Sequence, residues 1–221
     1  MIPGNSDRPI GNQGAPRLLL HIPIVHTEAD MGSLREPLRQ LKVSMAGKQG
    51  PVRGARLVDK IWDEIERAVD KLPIAAGKVR VYQDGLPVCG NEQQVIAELA
   101  AAGSRNHRLI QRLVERGAIP MGTESAELLL EEYELAVSTL APRGPRNALR
   151  STGREKALGE SLLERRDRFI GARINTTLAD GETGILFLGM LHVVEPFLDK
   201  DITVDHPIRP PQEAAARSVI R

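Results

Sequence analysis

Side chains that can bind metals or move protons follow several short apolar segments of the 221-residue chain. His192 comes just after the apolar run 185–188, and His26 ends the segment 17–26. Asp84 and Glu124 stand near the ends of the segments 78–86 and 118–125. If these segments are parallel strands, their carboxyl ends share one edge of a sheet. We therefore expect the four side chains to converge on one crevice.

Two histidines with two or three carboxylates form a ligand set for a divalent transition metal, with open positions left for water. We interpret His26 and His192 as the metal ligands. A metal would lower the pKa of bound water toward about 7 and provide a hydroxide nucleophile. Glu28 or Glu124 would then act as the general base, and Asp30 shares the loop of Glu28.

Chemistry without a metal is the alternative for the same residues. A histidine or glutamate alone would activate water. An arginine such as Arg166 or Arg173 would hold an anionic substrate or a developing oxyanion. The remaining histidines, at 21, 107 and 206, are interpreted as structural or solvent-facing, and Cys89 lacks a partner for nucleophilic catalysis.

The spacing of apolar residues along the chain predicts the strands and helices that position these side chains. Strands are expected at 17–26, 78–86, 118–125, 184–193 and 202–208, and helices at 57–72, 91–116, 125–140 and 160–178. Two basic segments rich in Gly and Pro, 42–56 and 142–154, are expected to be loops that could cover a site. This order predicts an α/β fold with a mostly parallel sheet flanked by helices and a site at the strand C-terminal edge.

The same patterns predict a disordered arm at 1–16, a single α/β domain at 17–209 and a flexible tail at 210–221. Within the predicted helix 91–116, a break is expected near the Gly-Ser pair 103–104.

Composition narrows the class of protein. The chain carries 30 basic and 29 acidic residues and only 3% aromatics, which argues against nucleic acid as a partner. A single cysteine excludes an internal disulfide framework and a cysteine-based zinc site. No apolar segment is long enough to span a membrane and no signal peptide is recognised, so we expect a cytoplasmic protein without a membrane partner. The expected partner is a small-molecule or peptide substrate, and the amphipathic helices are compatible with a homo-oligomer.

The block 164–194, ERRDRFIGARINTTLADGETGILFLGMLHVV, resembles the ending of the TraB/TIKI and erythromycin esterase/ChaN-like superfamily. That ending consists of a helix with the motif R-[DN]-x-x-[MI] and a strand of the form v-x-v-x-G-x-x-H. The corresponding residues in this chain are Arg166, Asp167, Ile170, Gly189 and His192. The superfamily also has a first-strand G-x-x-H motif and glutamates at later strand ends, which IPIVHTEADMG and MGTES partly match, although no glycine stands three residues before His26.

The resemblance implies an α/β fold with a shallow site at the strand C-termini. It places His26, Glu124, Arg166 and His192 at the polar site positions of the superfamily. Its members carry out metal-dependent proteolysis, ester hydrolysis or haem binding. This variety means that the resemblance fixes no substrate. From the convergence of His26, Glu124 and His192 we predict a metal-dependent hydrolase that acts on an ester, amide or peptide bond. The alternative is a non-catalytic protein that binds a small ligand or haem on the same scaffold.

Overall fold

The computed structural model describes residues 15–25, 51–140 and 145–208 of the chain. Within these ranges five strands form one sheet in which every pairing is parallel. The strands are β1 (Arg17–Ile24), β2 (Val79–Gln83), β3 (Ile119–Met121), β4 (Thr183–Gly189) and β5 (Ile202–Asp205). Their order across the sheet is β3-β2-β4-β1-β5. The predicted α/β fold with a mostly parallel sheet is thus confirmed.

Helices occupy most of the connections between the strands. They are α1 (Pro51–Asp70), α2 (Glu92–Ala101), α3 (Arg105–Glu115), α4 (Ala126–Leu140) and α5 (Pro145–Thr177), and a 3₁₀ turn spans Glu195–Phe197. The expected break in the segment 91–116 lies between α2 and α3. There Gly103 has a φ of +101°, which favours glycine, and the Ser104 side chain caps α3 by accepting from the His107 amide. None of the described helices has both the length and the apolar character required to cross a membrane.

Two helices begin earlier than the sequence patterns predicted. Residues 51–56 belong to α1 and residues 145–154 belong to α5, so the expectation of loops was wrong there. Both helices start at a proline. A proline in the first helical position loses no hydrogen bond, because the first amides of a helix have no partner within it. Residues 42–50 and 142–144 lie outside the described part of the chain.

The central strand β4 is buried on both faces, as its continuous apolar run predicts. Ile185 and Phe187 pack into a core that also contains residues of α1 and α3. Leu186 and Leu188 pack on the opposite face, in a core that includes Ile170 of α5. Because β4 lies between β2 and β1, its carboxyl end is surrounded by neighbouring strand ends. The sheet therefore delivers side chains from several connections to one place.

Candidate functional site

Polar side chains from three strand ends meet beside α5. Asp84 directly follows β2, Glu124 lies three residues after β3, and His192 lies three residues after β4. Each of the three offers a potential ligand atom, and these atoms lie within 4.8 Å of one another. Arg166 and Asp167 reach the same place from α5. We call these five residues the strand-end cluster.

The Arg166 guanidinium connects the carboxylates of the strand-end cluster. Its Nε donates to Glu124 Oε2 at 2.9 Å, and its Nη2 donates to Glu124 Oε1 at 2.5 Å and to Asp84 Oδ1 at 2.8 Å. Its Nη1 donates to Glu132 Oε1 at 2.7 Å. Burial alone lowers the pKa of Arg166, but the hydrogen bonds and charges of these carboxylates raise it overall. The guanidinium is therefore a permanently charged anchor for both strand-end carboxylates.

Glu124 has a fully buried side chain, with an exposed fraction of 0%. Its backbone is fixed by hydrogen bonds, because its amide donates to Leu86 O and its carbonyl accepts from the Val88 amide. Its Oε1 also accepts from the Gly85 amide at 3.2 Å. Burial raises the pKa of Glu124 despite the opposing effect of Arg166. A carboxyl group with a raised pKa binds a proton more readily than an ordinary glutamate does, as a general base must.

The ring of His192 is held on one side and faces the cluster on the other. Nδ1 lies 2.5 Å from Asp167 Oδ1, and Nε2 lies 3.5 Å from Asp84 Oδ2. The second oxygen of Asp167 accepts from the Val193 amide at 2.9 Å. Val193 itself is exposed, whereas the His192 side chain is buried. Because a carboxylate only accepts hydrogen bonds, the contact with Asp167 places a proton on Nδ1.

The strand-end cluster contains more negative than positive charge. Three buried carboxylates, those of Asp84, Glu124 and Asp167, face a single buried guanidinium. If all three carboxylates were ionised, they would exceed the charge of the guanidinium by two. Uncompensated buried charge is costly. A proton on Glu124 or a bound cation would each reduce that cost.

The structure thus brings together four of the residues that sequence reasoning selected: Asp84, Glu124, Arg166 and His192. Arg173 donates instead to the Gly122 carbonyl at 3.2 Å. The predicted ligand His26, the predicted base Glu28 and the neighbouring Asp30 lie outside the described residues. Their roles stay predictions.

Sequence reasoning did not assign a role to two acidic residues that the structure places against the cluster. Asp167 appears in the helix motif, yet its contact with His192 depends on how α5 is oriented against the sheet. Glu132 belongs to α4, and its side chain is half exposed. The only sequence signal for Asp167 was its position next to Arg166 in the helix motif. Nothing in the local pattern distinguished Glu132 from its acidic neighbours.

Comparison of the chain with protein-family models, with curated proteins and with solved structures gave no match. The resemblance of block 164–194 to the TraB/TIKI and erythromycin esterase/ChaN-like superfamily therefore stays a prediction.

Proposed function

We propose that the strand-end cluster is the active site of a metal-dependent hydrolase that acts on an ester, amide or peptide bond. The pairing of His192 with Asp167 carries this proposal. In metal sites, a ligating histidine usually donates its second ring nitrogen to a carboxylate, which fixes the ring and its tautomer. Here Nδ1 bonds to Asp167, and Nε2 faces Asp84 within the cluster.

The residues present fit a divalent metal ion. Imidazole nitrogen and carboxylate oxygen are donors that zinc and related metals accept. Asp84 and His192 offer donor atoms within 4.8 Å of each other, and a carboxylate oxygen of Glu124 lies within the same distance of both. Each carboxylate oxygen has two lone pairs, so an oxygen that accepts from Arg166 can still donate to a metal. A cation would also offset the excess negative charge of the cluster.

Each residue of the cluster has a part in the proposed reaction. A bound metal ion supplies Lewis-acid activation and lowers the pKa of coordinated water. We assign Asp84 and His192 as its donors, with His26 as the further ligand that the sequence predicts. Arg166 positions the carboxylate of Glu124, which accepts a proton from the attacking water. Asp167 holds the His192 ring in place.

Elemental analysis and activity assays on the same purified protein test the proposal. Hydrolysis of generic ester and peptide substrates is measured after chelation and after addition of Zn²⁺, Mn²⁺ or Co²⁺. We expect His192→Ala to lose one equivalent of metal together with the activity. Asp167→Asn should weaken metal binding by about 10–100-fold, because it removes the carboxylate that orients the ring. Glu164→Gln, an exposed position on the same helix, is the matched control and should behave like the unaltered protein.

Three results would contradict the proposal in different ways. Metal binding to His192→Ala with unchanged stoichiometry would remove His192 from the donor set. Activity that survives chelation but disappears in His192→Ala would indicate the metal-free mechanism, in which the histidine itself activates water. Absence of hydrolysis with every metal and substrate would favour a protein that binds a small ligand without turnover.

A further inference from the structure

A second group of potential metal ligands lies where β1, β5 and the 3₁₀ turn meet. Leu20 pairs with Asp205 in the parallel register of β1 and β5, so the next residue of each segment, His21 and His206, are neighbours. Their ring centroids are 5.1 Å apart. Glu195, the first residue of the 3₁₀ turn, reaches the same place. Two imidazoles and one carboxylate thus come from three separate elements.

The donor atoms of this group are already close to one another. His21 Nδ1 lies 2.8 Å from Glu195 Oε1, and His206 Nε2 lies 3.9 Å from the same oxygen. One ligand atom from each residue lies within 4.8 Å of the other two. Imidazole nitrogen and carboxylate oxygen are both donor types that divalent transition metals bind.

We propose that His21, Glu195 and His206 form a binding site for a divalent transition metal ion of the zinc type. The site shares no residue with the strand-end cluster, so it stands independently of the proposed hydrolase activity. Imidazole donors favour zinc, nickel, cobalt and copper over magnesium and calcium, which prefer oxygen-only sites. Two histidines and a glutamate are also a donor set that leaves a position open for water or another ligand.

Small side-chain movements would complete the coordination. Zinc binds nitrogen and oxygen donors at about 2.0–2.2 Å, which in a tetrahedral site places the donors about 3.4 Å apart. Glu195 therefore has to move slightly away from His21, and His206 has to move closer. Glu195 and His206 have side-chain exposed fractions of 37% and 48%, so neither is held by close packing. His21 is buried on β1 and supplies the fixed donor.

Titration of the metal-free protein with Co²⁺ tests this site, because the visible absorption of Co²⁺ reports the number and type of its ligands. We expect the site to bind one equivalent of Co²⁺, and this binding should require His206 and Glu195. Zn²⁺ should displace the bound Co²⁺. We expect His206→Ala and Glu195→Gln each to weaken this equivalent on the order of 100-fold, since each removes a direct ligand. Both positions are partly exposed, so the variants should stay folded, and circular dichroism verifies this.

Two further variants make the result specific. Glu160→Gln removes an exposed carboxylate that pairs with Lys156 on α5, and it should bind Co²⁺ like the unaltered protein. His192→Ala should keep the equivalent that His206→Ala loses, which distinguishes this site from the strand-end cluster. The proposal is overturned if the unaltered protein binds no Co²⁺ at millimolar concentration, or if either His206→Ala or Glu195→Gln leaves both affinity and stoichiometry unchanged.

Discussion

Replacement of Arg166 by methionine tests whether the guanidinium holds the strand-end cluster together. The Arg166 side chain has an exposed fraction of 6%, and its partners Glu124 and Asp84 are equally buried. Methionine fills much of the same volume but supplies neither charge nor hydrogen-bond donors. The variant would leave both carboxylates buried without their cation.

The expected loss of stability follows from this burial. Removal of one partner of a buried ion pair typically costs about 3–5 kcal/mol, because the other charge stays buried without compensation. With a dependence of unfolding free energy on urea of about 2–3 kcal/mol per M, the midpoint of unfolding should fall by roughly 1–2.5 M. The neighbouring Arg165 provides a matched control, since it pairs with Glu131 at 2.8 Å while its own side chain is 51% exposed. Arg165→Met should cost at most about 1 kcal/mol.

The assay is urea unfolding followed by circular dichroism, with a chelator present so that metal binding does not contribute. A loss in Arg166→Met no larger than that in Arg165→Met would refute the argument. It would mean that the two carboxylates are neutralised in another way or are solvated in the variant.

The pH dependence of the difference in unfolding free energy between Arg166→Met and the unaltered protein provides an independent test. Burial raises the pKa of Glu124, so its contribution to stability is greatest when the carboxyl is protonated and declines as the pH rises through its folded-state pKa. Without Arg166 the pKa of Glu124 should rise further. Acidification from neutral pH to about pH 5 should therefore shrink the stability difference between Arg166→Met and the unaltered protein. A difference that is constant over this range would contradict the assigned charge state.

Two further predictions concern packing and a second ion pair. Gly171→Ala should cost about 1–3 kcal/mol in thermal unfolding, because a Cβ there would lie 2.6 Å from the Cβ of Phe197. Gly159→Ala on the same helix meets no atom within 4 Å and should instead gain up to about 1 kcal/mol. Glu182→Gln should cost about 1–3 kcal/mol at neutral pH, because the hydrogen bond from Arg80 lowers the pKa of the buried Glu182. This stabilisation is lost as the pH falls through the lowered pKa, so urea midpoints of variant and unaltered protein should converge below about pH 4.

Much of the fold could be predicted because the apolar patterns are local signals. Apolar and polar residues do not alternate in the run 185–188. This continuous apolar pattern is typical of a strand that is buried on both faces of a sheet. The strand order was not predictable, since it depends on how residues 17–24 and 183–189 pack together across most of the chain. The starts of α1 and α5 were misread because Gly and Pro indicate loops on average. Proline is nevertheless favourable at the first position of a helix.

The sequence predicted the residues of the site that lie at strand ends. Glu124 and His192 were selected because polar residues near the carboxyl ends of parallel strands share one edge of the sheet. The pairing of Asp167 with His192 was not predictable, since the segment ERRDR has the composition of a solvated helix face. Likewise, His21 and His206 were interpreted as structural or solvent-facing residues. Their proximity depends on the pairing of β1 with β5, which the local sequence does not encode.

The position of β1 has a consequence for synthesis of the chain. In the described structure β1 pairs only with β4 and β5, and both of these strands lie beyond residue 182. A growing chain therefore exposes both hydrogen-bonding edges of β1 until the residues beyond 182 have left the ribosome. Unpaired strand edges are templates for aggregation. Chains that terminate before residue 183 should consequently be recovered as aggregates or chaperone complexes, because β1 then lacks both of its partner strands.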